Sequence, residues 1–129
     1  MILMLGTLAL VASSSGEALC SDANSTAEIV ECTNVVYKMA DQQMTHDWSQ
    51  AFARMKRKDA ASAKANTRRG PTFAQALLDS QRKWLAFRDS QCRLESFRMR
   101  GGSGEGYSTT ICLITLTNER AATLRNIDF

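Results

Sequence analysis

The sequence predicts an all-α fold, a small domain of three long antiparallel helices stapled by two disulfides. Three observations point there. Apolar residues recur at intervals of three and four in three segments, divided by Gly70-Pro71 and by the glycine-rich run from Gly101 to Gly106. Aromatic residues make up only 7% of the chain, and Leu, Ala and Met carry much of the apolar weight, which suits packed helices better than a sheet. Four cysteines, Cys20, Cys32, Cys92 and Cys112, form an even set of the kind that staples a short exported chain. A chain of 129 residues holds one core and lies near the size at which such staples help.

Residues 1–18 read as a signal peptide and residues 19–129 as the domain. The apolar run from Ile2 to Ala12 has the length of a signal h-region and is too short to span a bilayer, and Gly16-Glu17-Ala18 offers a small-residue cleavage site, although no Lys or Arg precedes the run. A secreted or periplasmic location follows, without stable membrane insertion. The chain carries 16 Lys and Arg against 13 Asp and Glu; removing residues 1–18 takes away Glu17 and leaves 16 against 12, or +4. Much of the excess sits in Arg54, Lys56, Arg57, Lys58, Lys64, Arg68 and Arg69. This basic segment reads as a solvated connector, with an anionic envelope surface as the alternative partner. Nucleic acid is not expected, since no aromatic residues interleave with the charges to stack bases.

Ser25-Thr26-Ala27-Glu28 has capping-box spacing and predicts a helix from Thr26 to about Lys58. Its inward stripe is Cys32, Val36, Ala40, Met44, Trp48, Phe52 and Met55, widened by Ile29, Met39 and Ala51. Tyr37 and Asp41 border the stripe. His46 and Asp47, adjacent on a helix and so about 100° apart, are expected on the surface. The pattern dissolves between Lys58 and Gly70, a segment that either extends the first helix or stays mobile. Thr72-Phe73-Ala74-Gln75 is a second capping box, opening a helix from about Pro71 to Met99.

On that second helix Leu77, Leu78, Gln81, Trp84, Leu85, Arg88 and Cys92 share a face, with Phe87, Leu94 and Phe97 extending the apolar surface sideways. An arginine in such a stripe must snorkel out or meet a carboxylate, and Asp41 is the expected partner of Arg88. Gly101 to Tyr107 reads as a flexible loop, and Ser108 to Thr110 as the cap of a third helix, unless its β-branched start is extended. Leu113, Leu116, Thr117, Arg120, Ala121, Leu124 and Ile127 mark that helix's inward face. Of the three possible pairings, Cys92 with Cys112 clamps the mouth of a helical hairpin, which leaves Cys20 to Cys32.

No nucleophile with a base, carboxylate pair or metal-ligand cluster occurs at a diagnostic spacing, so neither catalysis nor a cofactor is expected. A binding role fits better. A stapled hairpin presents a constrained loop, and Gly101, Gly102, Ser103 and Tyr107 are the candidate partner-binding residues.

Thr26-x-Glu28-x-x-x-Cys32, Tyr37-x-x-Ala40-Asp41, Gln81-Arg82-x-Trp84-x-x-Phe87-Arg88-Asp89-x-x-Cys92, Gly101-Gly102-Ser103, Cys112 and Thr117-x-x-Arg120 together resemble the LprI-type lysozyme-inhibitor family. The second-helix block is the more specific part. In the first helix Met44-Thr45 and Trp48 stand where the family usually has Leu-Asn and Tyr. The resemblance implies a small exported, helical, disulfide-bonded bacterial domain that binds a protein partner, lysozyme or another cell-wall hydrolase.

Overall fold

A computed structural model describes residues 19–67 and 69–129. The expected signal segment, residues 1–18, lies outside them. Three α-helices are complete within the described residues: α1, Thr26–Lys64; α2, Phe73–Ser96, continued by a 3-10 turn at Phe97–Met99; and α3, Glu105–Asn126. There is no strand among the described residues. The 39 residues of α1 span about 58 Å at helical rise, which gives both shorter helices a common surface to pack on. Met44, Ala51 and Met55 of α1, Ala74 and Leu77 of α2, and Ala121 and Leu124 of α3 form the core. Alanines on all three helices keep the axes close, while Trp48, Phe52, Trp84 and Leu85 fill the margins. Trp48 stacks on Phe52 with 5.0 Å between ring centroids.

Local chemistry sets the helix ends. Ser25 caps α1 by accepting from the Glu28 amide (3.2 Å), but Glu28 reaches back to the Asn24 amide (2.8 Å) rather than to that of Ser25. Thr72 and Gln75 form the reciprocal capping box of α2. Asp59 adds to it from α1, accepting from the amides of Phe73 (2.7 Å) and Ala74 (3.0 Å) and tying the two helices together across their connection. α1 runs past Lys58 to Lys64, because the Ala- and Lys-rich segment is a strong helix former. It stops where Asn66 takes a positive φ of 53° and the Thr67 amide returns to the Ser62 carbonyl (3.0 Å).

Several expected placements are corrected. α3 begins at Glu105 with Gly104 as its N-cap, so Ser108 to Thr110 are helical and do not cap it. The hydroxyls of Thr109 and Thr110 donate to the carbonyls of Glu105 and Gly106, which lets β-branched residues sit in the first turns. Asp47 is buried, not exposed: it accepts from Arg125 Nη1 (2.6 Å) on α3 and from Gln43 (3.2 Å), while His46 beside it faces solvent. Ile114 rather than Leu113 or Leu116 is the fully buried aliphatic side chain in its part of α3, beside the equally buried Thr117. Met39, Phe87, Leu94 and Phe97 are exposed, because stripes that wide wrap beyond the arc a neighbouring helix can cover.

Candidate partner-binding site

The end of the α2–α3 hairpin is built from the inside outward. Three rungs join the antiparallel helices in order: Gln81 with Arg120, Arg88 with Thr117, and Cys92 with Cys112. Arg120 Nε donates to Gln81 Oε1 (2.9 Å) and Nη2 to the Ser80 hydroxyl (3.1 Å). Burial lowers the pKa of Arg120 from its ordinary value. Arg88 is buried, and its Nη1 donates to both Thr117 Oγ1 (3.2 Å) and Asp41 Oδ1 (3.3 Å), its Nε to Asp89 Oδ1 (3.0 Å).

The Arg88 guanidinium lies 5.7 Å from the Tyr37 ring centroid and 5.4 Å from that of Trp84. One side chain therefore joins all three helices. Only the Arg88 end of the ion pair is buried, since the Asp41 side chain is 45% exposed. Tyr37 sits against this group with its hydroxyl pKa raised, chiefly by burial, with Arg88 opposing and Asp41 and Asp89 reinforcing the rise.

Cys92 is fully buried, and its bond to Cys112 closes the hairpin one helical turn beyond Arg88. Above this staple the chain turns tightly. Gly101 has φ +77°, the left-handed region that favours glycine. Its amide donates to Glu105 Oε2 (3.0 Å), the Gly102 amide to the Met99 carbonyl (2.9 Å) and the Glu105 amide to the Gly102 carbonyl (3.3 Å). The expected flexible loop is thus a short hydrogen-bonded turn. Gly101, Gly102 and Ser103 are exposed together at its tip. Tyr107 lies within the first turn of α3, half-buried and engaged by the fold.

The second bond, Cys20 to Cys32, ties the lead segment to the start of α1, far along the chain from this turn. The basic segment is not one surface. Arg54 donates to the carbonyls of Leu124 (2.7 Å) and Ile127 (3.3 Å) and so caps the C-terminus of α3. Lys58 pairs with Asp128 (3.5 Å), and Lys56 lies over the Phe52 ring. Arg57, Lys64 and Arg69 are exposed. Sequence reasoning missed the Arg54 cap and the Asp47–Arg125 pair, since a helical pattern gives a face but not the neighbour that meets it. It also missed that Phe97, Met99 and Arg100 lead into the turn from its exposed side. The offset of Phe87, Leu94 and Phe97 from the Gln81–Arg88–Cys92 line was the available signal.

An open depression of about 510 Å³ lies at the α1–α2 connection, but the Asp59 carboxylate at its wall is already committed to the α2 amides. No helix of the described residues is long and apolar enough to cross a membrane. No group of three or more metal-binding side chains occurs among the described residues.

The architecture is that of a disulfide-stapled helical domain with its polar network turned to structural work and a hydrogen-bonded turn at one end. The family model for lysozyme inhibitor LprI matches residues 20–124, and the chain belongs to that family. An uncharacterised protein of Rhizobium meliloti (strain 1021) is 31% identical over 108 residues, covering 84% of this chain and 77% of the relative. No solved structure matches.

Proposed function

We propose that this is an exported lysozyme-inhibitor-like protein that binds a cell-wall hydrolase through a protein–protein interface, without catalysis of its own. The observation that carries the reading is the lysozyme-inhibitor family match across residues 20–124, nearly the whole described domain. The turn at Gly101 to Ser103 and the adjoining Tyr107 are the surface we assign to the partner, because an exposed turn held by internal hydrogen bonds has less ordering entropy to lose on binding than an unbonded loop. Two disulfides support export, since such bonds persist in oxidising compartments.

The alternative, an envelope module that binds anionic surfaces through Arg54 to Arg69, has less support. Arg54 and Lys58 are committed to α3 and the C-terminal residues. A turbidity assay of bacterial lysis by lysozyme tests the proposal. Stoichiometric addition of the oxidised protein is expected to slow lysis, and the dithiothreitol-treated protein to do so far less. Unchanged lysis at excess oxidised protein would sink the reading.

A further inference from the structure

The turn at Gly101 does not stand alone. Phe97 and Met99, in the 3-10 turn that leads into it, are 43% and 50% exposed. Arg100 lies with its guanidinium carbon 4.4 Å from the Phe97 ring centroid, an arrangement that restrains a side chain otherwise rich in rotamers. The backbone is held as well, since the Arg100 amide donates to the Phe97 carbonyl (3.2 Å). Met99 fills the space over Gly104, where a Cβ would come within 2.7 Å of its terminal methyl.

Neighbouring charges are engaged internally: Arg98 Nε pairs with Glu95 (3.0 Å) and the Glu105 carboxylate accepts from the Gly101 amide (3.0 Å). Arg100 makes no ion pair among the described residues. It is therefore a cation positioned on an aromatic ring, with no carboxylate partner among the described residues.

We propose that Phe97, Met99 and Arg100, with the Gly101–Ser103 turn, form a cationic knob that enters the carboxylate-lined cleft of a cell-wall glycosidase. The proposal rests on the hydrolase-binding reading and names the feature of the hydrolase that is recognised. Charge decides the geometry. A domain that is basic overall repels a basic hydrolase at long range, so attraction has to be local. Glycosidases concentrate negative charge at the paired carboxylates of the active-site cleft. A planar guanidinium can bridge a carboxylate with two hydrogen bonds, and the half-exposed ring and thioether beside it suit the apolar walls of a sugar-binding cleft.

The test is calorimetric binding of the full oxidised protein to a purified animal-type lysozyme at fixed salt, read beside inhibition of lysis. Arg100→Ala and Phe97→Ala are each expected to weaken binding on the order of tenfold or more. Arg100→Lys should fall between these and the unchanged protein, and Arg57→Ala, at an exposed base on α1, should bind normally. Changing the hydrolase's two catalytic carboxylates to amides should weaken the unchanged protein and leave Arg100→Ala no weaker than before. Coincident melting curves for all variants establish that they are folded.

If Arg100→Ala binds and inhibits like the unchanged protein, the knob assignment is wrong while the hydrolase reading stands. A protein that neither binds nor inhibits overturns both. Loss of binding to phosphatidylglycerol vesicles in Phe97→Ala and Arg100→Ala, with inhibition intact, would also overturn the assignment and give the face to an anionic lipid surface.

Discussion

Replacing Arg88 by methionine separates what the guanidinium does from what its bulk does. The substitution keeps most of the volume between Tyr37 and Trp84 and removes every hydrogen bond that the side chain makes. The partners lose unequally. Thr117 is 0% exposed, so leaving its hydroxyl without Arg88 costs about 1–3 kcal/mol. Asp41 and Asp89 have side chains 45% and 65% exposed, so both rehydrate, and their loss contributes roughly 0–1 kcal/mol together.

Weakened ring stacking adds about 0.5–1 kcal/mol, and relief of a buried charge offsets part of the total. The net expectation is a loss of about 2 kcal/mol, or about 8 °C in Tm for a domain of this size. Asp41→Leu, by the same reasoning, should cost less than about 1 kcal/mol. Urea unfolding followed by tryptophan fluorescence measures both, with Trp84 beside the substitution as a reporter. Arg88→Met within about 0.5 kcal/mol of the unchanged protein would refute the structural role given to the guanidinium. Equal losses in the two variants would make the Asp41 ion pair, not the three-helix junction, the source of the stability.

Three further outcomes follow from the packing. Replacing Cys92 and Cys112 together by serine opens a loop of 20 residues and should lower unfolding free energy by about 3 kcal/mol in the chain-entropy account; denaturant midpoints unchanged by the double substitution would contradict it. Arg54→Ala uncaps α3 and is expected to cost about 1–2 kcal/mol, whereas Arg57→Ala should stay within about 0.5 kcal/mol, so a matched pair of melts distinguishes a cap from a solvated charge. Tyr37 ionises at higher pH in the folded protein than its ordinary 10.0. Its contribution is therefore complete below that pH and is lost as pH rises from there toward the folded value, because the unfolded chain gives up the proton first. Tyr37→Phe should flatten the alkaline fall in Tm, and an equally steep fall in that variant would remove Tyr37 as its cause.

What the sequence made legible is what local chemistry decides. Thr72 and Gln75 announced the start of α2, Gly101 its end, and the spacing of Cys92 and Cys112 around the glycine run announced the hairpin. Arg88 stood out because a charge in an apolar stripe has few physical options. The failures share one cause, which is that burial depends on what another helix brings to a face. Asp47 reads as surface until Arg125 arrives from α3, and Arg54 reads as connector charge until the carbonyls of Leu124 and Ile127 lie beside it. Phe97 reads as a sideways extension of the apolar face, and it is exposed because the α2 stripe is wider than what α1 and α3 cover. The exposed approach to the turn was hidden for the same reason, since apolar residues in sequence do not reveal which of them are left without a neighbour.

Hydrogen–deuterium exchange of the oxidised protein, free and saturated with lysozyme, tests most directly the claim that the hairpin end meets a hydrolase. Slowed exchange confined to residues 97–107, with residues 54–69 unaffected, is the predicted footprint. Protection centred on the basic segment, or no change at saturation, would contradict it.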